Sequence, residues 1–190
     1  MKKDLNGKIT RGTQRTLDAF FDAMTALLQT KPFADISVNE LCERAGYPRA
    51  TFYNYFEDRD DLLTYCWIAL SQRADSADLA SVESSRRVDV ALDAMADLLE
   101  SNTAMLHAVL AHNPPDGPLF ASLHRFIEHN ARQLMLTCVD RDRFDLPADL
   151  IADHYANTLL LVLDWAYLRG HTLTRAQLHD YVHTLLRGVE

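Results

Sequence analysis

Two groups of side chains in this 190-residue chain have types and spacings that can do chemistry. The first is Arg49, Thr51, Tyr53, Asn54 and Tyr55. Arg, Asn and Thr can hydrogen-bond to base edges in a nucleic acid, and Tyr, Thr and Arg can also hold its phosphates. The second is His179 and His183, four apart, a spacing at which two imidazoles on one helix can share a metal ion. No third ligand is marked in the sequence, so no metal is assigned. All eight His lie between residues 107 and 183, where solvated or hydrogen-bonded positions account for them. Cys42, Cys66 and Cys138 form no C-x-x-C pair, which argues against a disulfide scaffold or zinc knuckle and for a reducing, cytoplasmic setting. Nothing resembles a nucleophile elbow, a phosphate-cradling Gly loop or a dinucleotide fingerprint, and no acid/base couple stands out. We read the chain as a non-enzyme without a cofactor.

The first group has to be positioned by the stretch Ile36 to Leu62. Ser37-Val38-Asn39-Glu40 is a capping box and predicts a helix start. Val38, Leu41, Cys42 and Ala45 recur at three- and four-residue spacing, and Gly46 stands where a left-handed C-terminal cap is needed. Pro48 suits the opening of a second short helix. On that helix Phe52 and Phe56, four apart, anchor one side to a core, which leaves Arg49, Thr51, Tyr53, Asn54 and Tyr55 wholly or partly off the stripe. Asp58 and Asp61 then signal a third helix. A polar helix face alone is ordinary solvated surface. Cap, glycine turn and aromatic anchors together instead specify a helix-turn-helix suited to a DNA major groove.

The run Ala45-Gly46-Tyr47-Pro48-Arg49-Ala50-Thr51-Phe52-Tyr53-Asn54-Tyr55-Phe56, followed by Arg59 and Leu62, resembles the helix-turn-helix of the tetracycline-repressor-like (TetR) transcriptional regulators. The resemblance covers roughly residues 10 to 63. Pro48 takes a place often held in that family by a small hydroxyl residue, and Arg59 stands where Lys is usual. What the resemblance implies is an all-α protein: an N-terminal three-helix DNA-binding domain at 1–60 and a C-terminal helical effector-binding and dimerisation domain at 61–190. It also implies a homodimeric regulator, a repressor released from a double-stranded DNA operator by a small-molecule effector. Base edges are assigned to Arg49, Thr51 and Asn54, within a recognition helix that also carries Pro48 and Ala50. Phosphates are assigned to Ser37, Tyr47, Tyr53, Tyr55 and Arg59, of which Tyr53 and the Tyr55 position carry over most directly, and to Lys8 and Arg11 of an N-terminal arm.

Net charge is −8, an unpromising value for a DNA ligand until it is divided along the chain. Residues 1–60 hold nine Lys/Arg and nine Asp/Glu, so residues 61–190 carry the whole deficit. Lys2, Lys3, Lys8, Arg11 and Arg15 face only Asp4 in the first fifteen residues, and such a basic arm can follow a phosphate backbone. The acidic remainder is repelled by DNA, so only one end of the molecule can approach it.

Apolar content of 48% with 24% charge is ordinary for a folded protein, and few β-branched clusters point to helices throughout. Leu17, Phe20, Phe21, Met24, Leu27 and Leu28 predict a helix from about Thr10 to Thr30. Leu62 to Leu70 make a connector apolar around most of its circumference. A loop is expected at about 76–86, then helices at about 88–99 and 105–110. A Pro-rich break at 112–118 precedes a long helix to about Asp140, and an Arg141–Arg143 loop precedes a helix from Pro147 to Gly170. Thr174-Arg175-Ala176-Gln177 is a second capping box opening the last helix, for a total of nine. The longest apolar run, near Thr158–Val162, is too short for a membrane span, and no signal peptide is expected. The last two helices either complete an internal core or pair with the same hairpin of a second chain as a four-helix bundle. Trp67, Met95, Leu99, His107 and Phe120 are candidate effector-pocket residues, with His124, Phe126, Tyr155 and Trp165. An alternative is a ligand-independent DNA-binding adaptor whose C-terminal domain meets a protein partner.

Overall fold

Thr10 starts the first helix by accepting the Thr13 amide at 3.2 Å, and α1 (Arg11–Leu28) buries Leu17, Phe20, Phe21, Met24 and Leu28 on the face their spacing predicts. A short 3-10 turn, Phe33–Asp35, leads into α2 (Val38–Ala45). Both halves of the capping box form: the Ser37 hydroxyl accepts the Glu40 amide at 3.3 Å, and the Glu40 carboxylate accepts the Ser37 amide at 3.0 Å. Gly46 closes α2 at φ +72°, a conformation that a side chain would strain. Then come α3 (Arg49–Tyr53) and α4 (Arg59–Ala74), the latter opened by Asp58, whose carboxylate accepts the Asp61 amide at 2.9 Å.

The structure, a computed structural model, describes residues 10–74, 82–83, 86–138 and 146–187. Lys8, the Arg141–Arg143 loop and most of the 76–86 loop lie outside them. Among the described residues the chain is all-helical, completed by α5 (Arg87–Ser101), α6 (Thr103–Leu110), α7 (Pro118–Cys138), α8 (Ala148–Leu163) and α9 (Arg175–Arg187). No described helix is long and apolar enough to cross a membrane.

On sequence the chain divides at residue 60. In the structure two compact units form, Met1–Ser71 with Ala104–Phe120, and Gln72–Thr103 with Ala121–Glu190. Asn113 ties the later segment into the first unit. Its side chain is buried; Oδ1 accepts the Phe33 amide at 2.7 Å, and Nδ2 donates to the carbonyls of Leu28 and Val109, both at 3.1 Å. It thereby pairs the Leu28 carbonyl at the end of α1 and adds to the bonds that the Val109 carbonyl already accepts from the His112 and Asn113 amides. Arg59 props the same turn from the other side. Its Nη1 donates to the carbonyls of Phe33, Ala34 and Ile36 at 3.2, 2.6 and 2.7 Å, and the guanidinium lies 5.0 Å from the Phe33 ring centroid.

The second unit has its own core: Leu92 and Ala96 of α5, Ala152, Leu159, Val162 and Leu163 of α8, and Leu178, Val182 and Leu186 of α9. Thr174 and Gln177 form the predicted reciprocal cap of α9, with bonds of 2.9 and 3.3 Å. Arg175, one residue on, binds the Asp97 and Glu100 carboxylates of α5, each at 2.7 Å. The helix expected from Pro147 to Gly170 is not uniform: α8 ends at Leu163 and gives way to one π-helical turn, Asp164–Leu168. There the buried Asp164 carboxylate accepts from Arg169 Nε at 2.6 Å.

Two outcomes follow from the first unit. Hydrogen bonds from Lys31 and then Ser37 hold the Glu40 pKa down to about 2. A carboxylate with a depressed folded pKa stabilises the fold above its unfolded value, and that contribution is lost as pH falls through the folded one. An NMR titration should therefore place the Glu40 midpoint near 2, with helix α2 losing amide protection between the ordinary carboxylate range and that value; Glu40→Gln should remove this pH dependence. Arg59→Ala should destabilise the protein by about 1 to 2 kcal/mol in urea, since charged hydrogen bonds contribute that much when partly exposed. Arg59→Lys should recover only part, because an ammonium cannot reproduce the planar fork.

Candidate nucleic-acid interface

Helix α3 has five residues, Arg49–Tyr53, and neither of its ends is capped by a side chain. Pro48 lies just outside it as the N-cap, in extended conformation, with its carbonyl accepting the Thr51 amide at 2.9 Å. What holds the helix is its inward side. The Phe52 ring meets Phe20 of α1 edge-on at 5.4 Å and lies 5.4 Å from Phe56, which is 6.0 Å from Phe20. All three rings are fully buried. Tyr47, in the turn, lays its ring 5.7 Å from Phe20 and so fixes the approach of α3 to α1.

The outward side carries Arg49, Ala50, Tyr53 and Asn54, all exposed, with Pro48 beside them and Thr51 half-buried. Tyr53 is 45% exposed despite its ring. Arg49 Nη2 donates to the Tyr53 hydroxyl at 3.2 Å, and its guanidinium lies 5.7 Å from the Tyr53 ring centroid. The pair presents a cation and a hydroxyl together, a combination that can engage a base edge and a neighbouring phosphate. Arg11 is also exposed, at the first position of α1.

Three residues assigned to phosphate do other work in the structure. Tyr55 is only 6% exposed, with its ring 6.3 Å from Phe56, so it is a core residue. The reason is that α3 ends at Tyr53, and the chain beyond it turns inward instead of continuing the helical period. Arg59 directs one guanidinium nitrogen at three backbone carbonyls. Ser37 is exposed, and its hydroxyl is engaged with Glu40, donating to the carboxylate at 2.8 Å. Cys42 is buried in α2, where loss of solvent pushes its thiol pKa up, against the nearby Arg49 charge that lowers it. It is a small apolar residue there, without thiolate chemistry.

The candidate pocket residues divide between the two units. Trp67, His107 and Phe120 belong to the first unit, and the other six to the second. Met95, Leu99 and Tyr155 pack half-buried against the second core. Phe126 is half-buried, and His124 Nε2 lies 3.7 Å from Asp164. His107 is exposed, and Trp165 stacks on His171 at 3.7 Å while 41% exposed. Asn113 was missed on sequence altogether. Its closest partner stands 80 residues earlier, and no local spacing marks it.

Residues 20–66 match the family model described as bacterial regulatory proteins, tetR family. Over 58 residues the chain is 47% identical to the HTH-type transcriptional regulator EthR of Mycolicibacterium smegmatis, covering 30% of this chain and 27% of that one. It is 28% identical over 111 residues to an uncharacterized HTH-type transcriptional regulator of Mycobacterium tuberculosis, 56% of this chain and 55% of that one. The chain thus spans only about a quarter to a half of the length of these curated relatives. Two solved structures share its fold over nearly the whole chain. A TetR transcriptional regulator of Streptococcus agalactiae is 20% identical with TM-score 0.63, covering 93% of this chain and 96% of that one. A transcriptional regulator of Pseudomonas aeruginosa is 17% identical with TM-score 0.64, covering 97% and 95%. The segment similar to the tetR family, residues 20–66, spans the aromatic anchors, the glycine turn and the outward Arg49–Tyr53 pair.

Proposed function

We propose that the protein is a homodimeric DNA-binding transcriptional regulator, a repressor that leaves its operator when a small effector binds the second unit. The observation that carries this reading is the outward Arg49–Tyr53 pair on a helix whose other side is locked by Phe52 and Phe56. Arg49, Thr51 and Asn54 read base edges, while Tyr53, Tyr47, Arg11 and the Lys8 arm hold phosphates. Two copies related by two-fold symmetry would set their α3 helices in successive major grooves, roughly 34 Å apart. Dimerisation is supported by apolar side chains that the single chain leaves uncovered. Leu150, Leu161 and Trp165 recur at helical spacing along α8 and the π turn, and Tyr181 and Leu185 are four apart on α9, each at least 40% exposed. Docking these faces between two copies makes a four-helix bundle from α8 and α9. The half-buried Met95, Leu99 and Tyr155 against the second core are the side chains best placed to adapt to an effector, whose binding must weaken DNA by as much as DNA weakens it. A DNA partner puts the protein's work in the cytoplasm.

Operator fragments selected from genomic DNA and measured by gel shift test the reading. Tyr53→Ala should weaken operator and random duplex alike with the salt slope unchanged, whereas Arg49→Ala should cost about 1 to 3 kcal/mol on the operator and relax base choice at one position. Unchanged binding in both variants would remove α3 as the reading element. Separately, Leu161→Glu with Leu185→Glu should give a monomer by light scattering, with helicity kept and operator affinity lost; a persistent dimer would place the interface elsewhere.

A further inference from the structure

The His pair left incomplete by the sequence acquires partners from α5. His179 and His183 stand one turn apart on α9, and Asp89 and Asp93 one turn apart on α5, within the same unit. Asp89 Oδ1 lies 2.8 Å from His183 Nε2 and 3.2 Å from His179 Nδ1, while His179 Nε2 lies 2.8 Å from Asp93 Oδ1. One donor atom each from Asp89, His179 and His183 fall within 4.8 Å of one another. In a tetrahedral zinc site, bonds near 2.1 Å set ligand atoms roughly 3.4 Å apart, so the two contacts to Asp89 need to open by only a fraction of an ångström around an ion, with the two imidazole nitrogens, already within 4.8 Å, adjusting to the same spacing. We infer that Asp89 Oδ1, His179 Nδ1 and His183 Nε2 form a three-ligand site for a divalent transition-metal ion, with Asp93 as its outer carboxylate.

The role of Asp93 is the feature that separates this arrangement from a chance cluster. A metal-bound imidazole needs its second nitrogen held as an N–H donor, which fixes the tautomer and turns the other lone pair to the ion. Asp93 does this to His179 and is itself steadied by Arg175, whose Nη1 donates to the Asp93 backbone carbonyl at 3.0 Å and reaches its carboxylate at 3.5 Å. With the three ligating side chains one quarter to one half exposed, water reaches the remaining coordination position. Two imidazoles and one carboxylate suit Zn²⁺ or Co²⁺; Mg²⁺ and Ca²⁺ take all-oxygen ligand sets. A bound ion would join α5 to α9 at a point where hydrogen bonds alone otherwise connect the polar faces.

The test uses untagged full-length protein, cleared with chelator and free of DNA, so its outcome is independent of the gene-control reading. Zn²⁺ by equilibrium dialysis should bind one per chain, Co²⁺ should give the visible absorption of a site with nitrogen and oxygen ligands, and Mg²⁺ should not compete. His183→Gln and Asp89→Asn should abolish the Co²⁺ spectrum. Asp93→Asn, which leaves every ligand in place, should weaken Zn²⁺ by roughly 10- to 100-fold. Circular dichroism establishes that each variant is folded, and X-ray absorption of the zinc-loaded wild type supplies ligand identity should a variant fail to fold; two imidazoles at the zinc are required. Absence of stoichiometric Zn²⁺ binding, folded variants that bind as the wild type does, or fewer than two imidazoles at the metal would overturn the inference.

Discussion

A helix of five residues cannot persist on its own, and everything proposed for this protein depends on one that does. Nucleating a helical turn costs about 4 kcal/mol at a nucleation constant near 10⁻³. Burying Phe52 and Phe56 contributes about 3 to 6 kcal/mol together, before the edge-on contacts to Phe20 are added. The short helix α3 therefore exists because α1 supplies Phe20, and its outward face can be polar because its inward face alone holds it. Gly46 makes the arrangement possible by reversing the chain in one residue, which leaves α3 free to cross α1 at the angle the rings require.

Much of this was legible in local sequence. The Ser37–Glu40 and Thr174–Gln177 boxes, the Gly46 cap, the Asp58 start and the Phe52/Phe56 anchors are all set within a few residues of the positions that reveal them. Tyr55 and Arg59 are placed differently from expectation, each for its own reason. For Tyr55 the helical period was extended past Tyr53, where α3 stops, and for Arg59 the resemblance alone suggested phosphate, whereas its guanidinium turns back to the Phe33–Ile36 backbone. The π turn at Asp164–Leu168 was invisible because it alters the phase of a helix without altering its composition. Asn113 and Asp89 escaped because their partners lie about 80 to 94 residues away in the chain, and only tertiary structure brings them together.

The second unit uses a different principle. Its α5 and α9 are joined on one side by apolar packing of Leu92 and Ala96 against Leu178 and Val182, and on the other by a polar seam. Arg175 anchors the start of α9 to Asp97 and Glu100. Tyr167, from the π turn, donates to the same Glu100 at 2.7 Å, and burial, aided by that bond, pushes its pKa up to about 12. Carboxylates on α5 thus meet the Arg175 guanidinium and two imidazoles at successive turns of α9. The surplus acid of the chain lies in the sequence after residue 60, which carries the whole net charge of −8.

The clasp made by Asn113 bears on how the protein is born. Residues 10–71 contain every side chain of the helix-turn-helix, yet the Phe33 amide and the carbonyl of Leu28 find their partner only in a segment translated some eighty codons later. While the chain is still growing from the ribosome, the amino-terminal helices can assemble around Phe20, but the junction after α1 stays unsealed until α6 and the loop behind it have emerged. An isolated amino-terminal fragment would carry the same defect permanently.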